Sequence, residues 1–376
     1  MSEPDITQVE IDAVNRVLQT PHLSIGPVID EFEHAWARFV GARYAVGVSS
    51  GTAGLHCAVI AAGVGAGDEV ITTPFSFVAS ANVMLYQNAT PIFADIDSQT
   101  LNIDPNQVED KIKSRLRAGA RFKAIMPVHV FHQPCDMDPL MEIAARYDLL
   151  VIEDACEAMG AQYNGRAVGT FGKAAVFAFY PNKQMTTGEG GMIVTDDTEW
   201  AQLFRSLRNQ GRDENGTWLH HIRLGYNYRL DELSAALGLA QLSRIDELLE
   251  KRERVAQMYN ARLRGMPGVQ IPFIAPQTTR SSWFVYVVRI ASEIDRDAVL
   301  RELAARGIPA RPYFTPIHLQ PFYRTRFGFQ EGDFPITEQV ARTTLALPFH
   351  SNLNAEKIDF IGETLSQILD SRRSLQ

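Results

Sequence analysis

The chain has 376 residues and a formal net charge of −8, with 45% hydrophobic and 21% charged residues; this is an ordinary soluble composition on a chain too long for one core. The acidic balance argues against a nucleic-acid-binding surface, which would show a basic stripe, but a local pocket can still take anionic small ligands. No apolar run approaches a membrane span, the start Met1-Ser-Glu-Pro-Asp-Ile6 lacks the order of a signal peptide, and Cys57, Cys135 and Cys156 are scattered, so a cytoplasmic protein without membrane or nucleic-acid partners is expected.

Residues 5–20 have apolar spacing that suits a helix, Ser24-Ile-Gly26-Pro27 reads as a turn, and Pro27 opens a helix carrying Phe32, Trp36 and Phe39. Short strand-like runs then alternate with helical stretches: Tyr44–Val48, Glu69–Thr73, Pro91–Ala94, Lys123–Val128 and Leu149–Ile152. Ala174–Phe179 and Met192–Thr195 are further strands. The pattern predicts an α/β fold with a mainly parallel seven-stranded sheet between helices. Asp231 reads as the N-cap of one long helix to about Arg264, whose small residues Ala235, Ala236, Gly238 and Ala240 permit close packing. Beyond it come a strand at Trp283–Ile290, a helix at Asp295–Arg306 and a strand at Ile308–Phe314. A large domain is expected over residues 1–240, including the N-terminal helical segment, and a smaller α+β domain over 241–376.

In a parallel sheet, ligands sit outside the carboxyl ends of the strands. The ends here carry Ser49-Ser-Gly-Thr52, Pro74-Phe-Ser-Phe77, His129 and Glu153-Asp154, and Lys183 follows the run Val176–Pro181. Ser50, Gly51 and Thr52 open a helix, where backbone N–H groups and a hydroxyl make an anion site or simply a cap. The loop is no dinucleotide fingerprint, and Gly169–Ala174 is no P-loop, because Ala174 stands where Ser or Thr must hold magnesium. Asp154 at a central strand end could pair with a protonated pyridine nitrogen, and Lys183 could be a Schiff-base amine in a desolvated pocket. Phe75 or Phe77 would then stack on the ring, or else pack the core. Asn227 and Arg229 precede the long helix and could bind phosphate, or else form a helix-entry turn with a surface charge. Tyr313 and His318 lie in a Pro- and aromatic-rich loop that lines either a substrate pocket or a domain junction. The histidines lack metal-ligand spacing, and no metal is expected.

Taken together, these residues resemble the DegT/DnrJ/EryC1/StrS sugar aminotransferases, pyridoxal-phosphate enzymes of the aspartate-aminotransferase fold (fold type I). The resemblance spans roughly Ser24 to Leu369 and rests on an ordered set: Ser50-Gly-Thr-Ala, Phe75-Ser-Phe-Val-Ala-Ser-Ala-Asn82, Val128-His, Ile152-Glu-Asp-Ala, Phe179-Tyr-Pro-Asn-Lys183, Gly188-Glu-Gly-Gly191, Gly225-Tyr-Asn-Tyr-Arg229 and Pro316-Ile-His318. It implies that Lys183 forms the Schiff base with pyridoxal 5'-phosphate, that Asp154 meets the pyridine nitrogen, that Gly51 and Thr52 hold the phosphate with Ser50, and that Phe77 stacks on the ring. It further implies that Asn227 reaches the phosphate from a neighbouring subunit of a homodimer. Ser24, His129, Arg229, Tyr313 and His318 are the expected substrate contacts.

Two departures stand out. Many members have a phosphate-binding serine where this chain has Ala178, so Asn182 or Ser50 is expected to compensate. Many have glutamine or histidine where this chain has Glu157, a cofactor contact; glutamate there is similar to the GDP-perosamine synthase-like branch. The implied reaction moves the amino group of L-glutamate, by way of pyridoxamine phosphate, to a nucleotide-linked keto-deoxysugar, with a 4-keto-6-deoxyhexose favoured. Alternatives are a sugar dehydratase of the same family, which Lys183 counts against, and a non-catalytic cofactor-binding regulator.

Overall fold

A computed structural model describes residues 1–213 and 219–373. Two helices, α1 (Gln8–Leu18) and α2 (Pro27–Val40), precede β1 (Tyr44–Val48). Alternating units follow: α3 (Gly51–Ala61), β2 (Glu69–Thr72), α4 (Ala79–Tyr86), β3 (Thr90–Phe93), α5 (Pro105–Arg117), β4 (Phe122–Ile125), α6 (Met137–Arg146) and β5 (Leu150–Asp154). A small hairpin, β6 (Gln162–Tyr163) and β7 (Arg166–Ala167), leads to β8 (Ala174–Ala178), β9 (Gly191–Thr195) and α7 (Thr198–Arg208). The remainder runs α8 (Glu232–Ser243), α9 (Ile245–Leu263), β10 (Val269–Gln270), β11 (Thr278–Arg280), β12 (Tyr286–Ile290), α10 (Arg296–Ala305), α11 (Pro321–Phe327), α12 (Pro335–Thr343), β13 (Thr344–Leu347) and α13 (Ala355–Arg373).

The main sheet has seven strands in the order β1-β9-β8-β5-β4-β2-β3. Only β9 runs against its neighbours β1 and β8; the pairs from β8 through β5, β4 and β2 to β3 are parallel. Six strands therefore end at one edge of the sheet, where β9 begins. Both faces are covered, so the strands are apolar along their length rather than alternating: β2 and β9 are buried at every position.

The packing of α2 bears on the site. Phe32 and Trp36 are fully buried, and their rings lie against Phe177 and Phe179 at centroid distances of 5.3 to 5.6 Å for Trp36–Phe177 and Phe32–Phe179. Those phenylalanines lead straight into Pro181 and Lys183, so the aromatic cluster fixes where the lysine loop leaves the sheet. Gly238 of α8 approaches Phe32 so closely that a Cβ would lie 2.6 Å from its ring, which is the close packing that the small residues of this helix permit. The N-terminal helix α1 joins them, with Ala13 and Val17 against Ala236 and Ala240.

A second sheet, β10-β12-β13, is packed against α9, α10 and α13. The chain passes from one core to the other within α9: Ile245, Leu248 and Leu249 belong to the first, Val255, Tyr259 and Leu263 to the second. Two sequence expectations are corrected here. The long helix is two helices, broken at Arg244 (φ −111°, ψ 12°), whose guanidinium is drawn to Asp5 before α1 and Glu10 within it at 3.0 and 2.8 Å; tertiary ties override helix propensity there. Residues Ile308–Phe314 form no strand. Pro309 and Pro312 lack the N–H a ladder needs, and Arg311 makes a single bridge to Ala346; the third strand is instead Thr344–Leu347. Among the described residues no helix is long and apolar enough to cross a membrane.

Candidate active site

The strand ends enclose a cavity of about 530 Å³ lined, among others, by Ser50, Gly51, Thr52, Phe77, Asp154, Glu157, Asn182, Lys183 and Tyr313. Nine of the residues singled out in the sequence thus face one space. One wall is the start of α3. Ser50 is its N-cap, accepting from Ala53 N–H at 3.1 Å, and Gly51 and Thr52, at the helix start where N–H groups lack intrahelical partners, line the cavity. This wall is built tightly. A Cβ on Gly191 would lie 2.7 Å from Ser50 C and 2.8 Å from Gly51 N, and one on Gly51 would lie 2.8 Å from Ala178 Cβ and 3.0 Å from Cys156 Sγ. Glycine at both positions lets β9 and β8 approach the helix start.

Asp154, at the end of β5, is buried. Ser80 Oγ donates to its Oδ2 at 2.8 Å, and Cys156 N–H to its Oδ1 at 3.2 Å. Ser76 Oγ lies 2.8 Å from Ser80 Oγ, so a short relay of hydroxyls backs the carboxylate. Its backbone is pinned as well: Asp154 N–H donates to Pro127 O at 2.9 Å, and His129 N–H to Asp154 O at 3.0 Å. The carboxylate is thereby aimed, with lone pairs left for a cationic partner.

Lys183 Nζ lies 3.7 Å from Glu157 Oε1 and 3.8 Å from the centroid of the Phe284 ring, a partly desolvated cation–π arrangement. Glu157 is buried. Burial pushes its carboxyl above the usual range, outweighing the attraction of Lys183 and the N–H of Phe131, which donates to Oε2 at 3.0 Å. Tyr313 is pushed up to about 12 by burial, with the Glu157 charge adding to it, and so stays a neutral phenol.

The donor set fits pyridoxal phosphate. An amine, a buried carboxylate and a helix start share one cavity, and Asn182 lines it with a buried Oδ1 that has no hydrogen-bond partner. An amide oxygen and nitrogen are interchangeable by rotation about the last torsion, so Asn182 can offer a donor into the space beside Ala178.

Other residues singled out in the sequence lie outside this protomer's cavity. His129 follows cavity-lining Val128 but turns away: its Nδ1 accepts from Cys135 N–H at 3.0 Å and its Nε2 donates to Glu153 at 3.2 Å. His318 is buried against Phe334, with Nε2 at 3.0 Å from Glu338. Neither histidine contacts the cavity; buried carboxylates, invisible in the local motif, claim both rings. Ser24 is exposed on a loop held by Glu232, whose carboxylate accepts from Gly26 and Val28 N–H at 3.0 and 2.8 Å. Arg229 lines a different surface pocket and donates to Asn209 at 3.1 Å. Asn227 is exposed and lies outside its own protomer's cavity. Sequence reasoning quoted Ser76 and Ser80 within the run Phe75–Asn82 without giving them a role, and it missed Phe284. The serines stand four apart at the entry to α4, a spacing that places both on one face; Phe284 gives no local signal.

The chain matches the DegT/DnrJ/EryC1/StrS aminotransferase family over residues 4–366. It belongs to that family. It is 42% identical to a GDP-perosamine synthase of Caulobacter vibrioides over 373 residues, covering 98% of each chain, and 38% identical to a spore coat polysaccharide biosynthesis protein of Bacillus subtilis, covering 98% of this chain and 96% of that one. Its structure superposes on a putative sugar aminotransferase of Streptococcus pneumoniae in its PLP form with a TM-score of 0.91 at 28% identity, covering 98% of both. The family member is thus a pyridoxal-phosphate-dependent sugar aminotransferase of fold type I.

Proposed function

We propose that the protein transfers the amino group of L-glutamate to the keto carbon of a nucleotide-linked 4-keto-6-deoxyhexose. The observation that carries this reading is the placement of Lys183 and Asp154 in one cavity that the start of α3 also lines. The relationship to GDP-perosamine synthases at 42% and 34% identity supports a GDP-linked substrate.

When bound, the cofactor carries the amino group between substrates and acts as the electron sink. Lys183 holds it through Nζ and, once released, takes the proton from the α-carbon of the amino acid; in the second half it returns a proton to the sugar carbon that receives nitrogen. Asp154 holds the pyridine nitrogen in its protonated form, the hydroxyl relay keeping the carboxylate in place. Gly51 and Thr52 N–H groups, Ser50 and Asn182 hold the phosphate. Phe77 and Tyr313 line the cavity, and Glu157, whose carboxyl burial pushes above its usual range, stands beside the lysine. We assign Asn227 to the site of a second copy: it is exposed, and it follows Leu224, an apolar side chain that is 81% exposed, as expected of a segment that a partner subunit covers. We also take the two units, expected to divide at residue 240, to divide a little later, inside α9, where side chains pass from the first core to the second.

The test is a screen of GDP-, UDP- and dTDP-linked keto sugars with L-glutamate as donor, products read by mass. An amino sugar from the GDP series supports the proposal; a deoxy sugar without nitrogen indicates a dehydratase; no product with any sugar, from protein that binds the cofactor, indicates a regulator.

A further inference from the structure

Arg252 of α9 is buried, with 2% of its surface exposed, yet it makes no ion pair among the described residues. Its guanidinium lies over the Phe349 ring, 5.6 Å from the centroid, and its hydrogen bonds go to backbone carbonyls. Nη2 donates to Lys183 O at 2.7 Å, and Nη1 donates to Trp283 O and Phe284 O at 3.2 Å each; Nε is buried without a partner. Burying a cation without a counter-ion is costly, and burial pulls this guanidinium down to about 10. A neutral side chain filling the same space would avoid that cost, so the position calls for a reason beyond packing.

The carbonyls it holds supply the reason. Lys183 is the amine of the site. Phe284 is the ring under that amine, 3.8 Å from Nζ. The two lie about a hundred residues apart, one on the loop leaving β8 and one just before β12. Arg252, from a third element, grips both main chains at once. A second set of bonds closes the same junction from the other side. Gln184 Nε2 donates to Glu157 O at 3.0 Å and to Ser282 Oγ at 2.8 Å, while Lys183 N–H donates to Tyr180 O at 2.9 Å. The base of the lysine arm is therefore fixed relative to both of its flanking groups, Phe284 and Glu157. A planar five-donor fork can serve three carbonyls from one side chain; an ammonium cannot do so with the same geometry.

We propose that Arg252 is a positioning residue for Lys183, setting where the lysine amine stands between the Phe284 ring and Glu157. It touches neither cofactor nor substrate and acts through the two backbones it holds. The inference rests on Lys183 being the reacting amine of the proposed function.

The test compares Arg252→Lys and Arg252→Met with Tyr259→Phe, a control on the same helix. Tyr259 is buried and its hydroxyl donates to Pro348 O at 2.7 Å, away from the lysine loop. Three readouts are taken: the melting temperature, the rate at which a small amine-reactive ester labels Lys183 in cofactor-free protein at fixed pH, and kcat against KM for the conversion driven by L-glutamate. The expected result is that Arg252→Lys changes the labelling rate and lowers kcat by about tenfold or more with KM altered by less than about threefold, since small misplacements of a reacting group cost that much. Tyr259→Phe lowers the melting temperature and leaves labelling and kcat unchanged. Should Arg252→Met not fold, Arg252→Lys, which keeps the charge and the stem, carries the comparison. Labelling and kcat equal to those of Tyr259→Phe overturn the proposal and leave Arg252 as packing. Borohydride reduction of loaded protein and peptide mapping separate the two layers: an adduct on another residue defeats the assignment of Lys183 itself, whereas an adduct on Lys183 with unaffected Arg252 variants defeats only the positioning role.

Discussion

Gly51→Ala is expected to weaken cofactor binding through a collision that can be located to an atom. The added methyl would stand 2.8 Å from Ala178 Cβ and 3.0 Å from Cys156 Sγ, against an ordinary carbon–carbon separation of about 3.5 to 4.0 Å. To relieve the contact, the start of α3 must withdraw from β8 by at least about 0.7 Å, carrying with it the N–H groups assigned to the phosphate. Overpacking of this kind costs about 1 to 3 kcal/mol, which translates into a loss of about 5- to 150-fold in affinity if the withdrawal is spent at the binding site. Ala178→Gly removes the nearest obstructing atom, so the double variant Gly51→Ala/Ala178→Gly recovers part of the affinity, with Cys156 accounting for what is left. The assay is a titration of cofactor-free protein with pyridoxal phosphate, followed by visible absorbance. Wild-type affinity for Gly51→Ala, or strictly additive losses in the double variant, would refute the reasoning, because residues in contact are required to couple.

Two other outcomes follow from the site. Burial raises the Glu157 carboxyl, so the folded state holds its proton above the pH at which the unfolded chain releases it; stability then falls as pH rises from the ordinary carboxylate value toward the raised one. Glu157→Gln removes that dependence, and melting curves of cofactor-free protein should show the variant gaining on wild type as pH rises above the ordinary glutamate value of about 4.3, with parallel curves counting against it. If Asn227 serves the partner's site, Lys183→Ala and Asn227→Ala, each weak or inactive alone, complement on mixing: exchange yields up to about a quarter of wild-type activity, and no recovery in verified mixed dimers would place Asn227 elsewhere.

The strands that build the cavity were legible because a doubly covered parallel sheet leaves short, wholly apolar runs, and because chemistry collects at their carboxyl ends. Asp154 and the Ser50–Thr52 turn sit two residues beyond such a run, and Lys183 four residues beyond Phe179. The residues that aim them were not legible. Ser80 reaches Asp154 across 74 positions and Arg252 reaches Lys183 across 69, separations at which no local periodicity carries a signal. His129 and His318 misled for the same reason, since the carboxylates that bury them lie 24 and 20 residues away. The break at Arg244 likewise goes with ties to Asp5 and Glu10 at the far end of the chain, while the helical spacing itself runs on without interruption.

The central claim is that the lysine of this cavity moves nitrogen from glutamate to a sugar. Loaded protein incubated with isotope-labelled L-glutamate and a GDP-linked 4-keto-6-deoxyhexose should yield an amino sugar carrying the labelled nitrogen, and Lys183→Ala should yield none. Labelled product from the Lys183→Ala protein, or a nitrogen-free sugar from the wild type, would contradict the account.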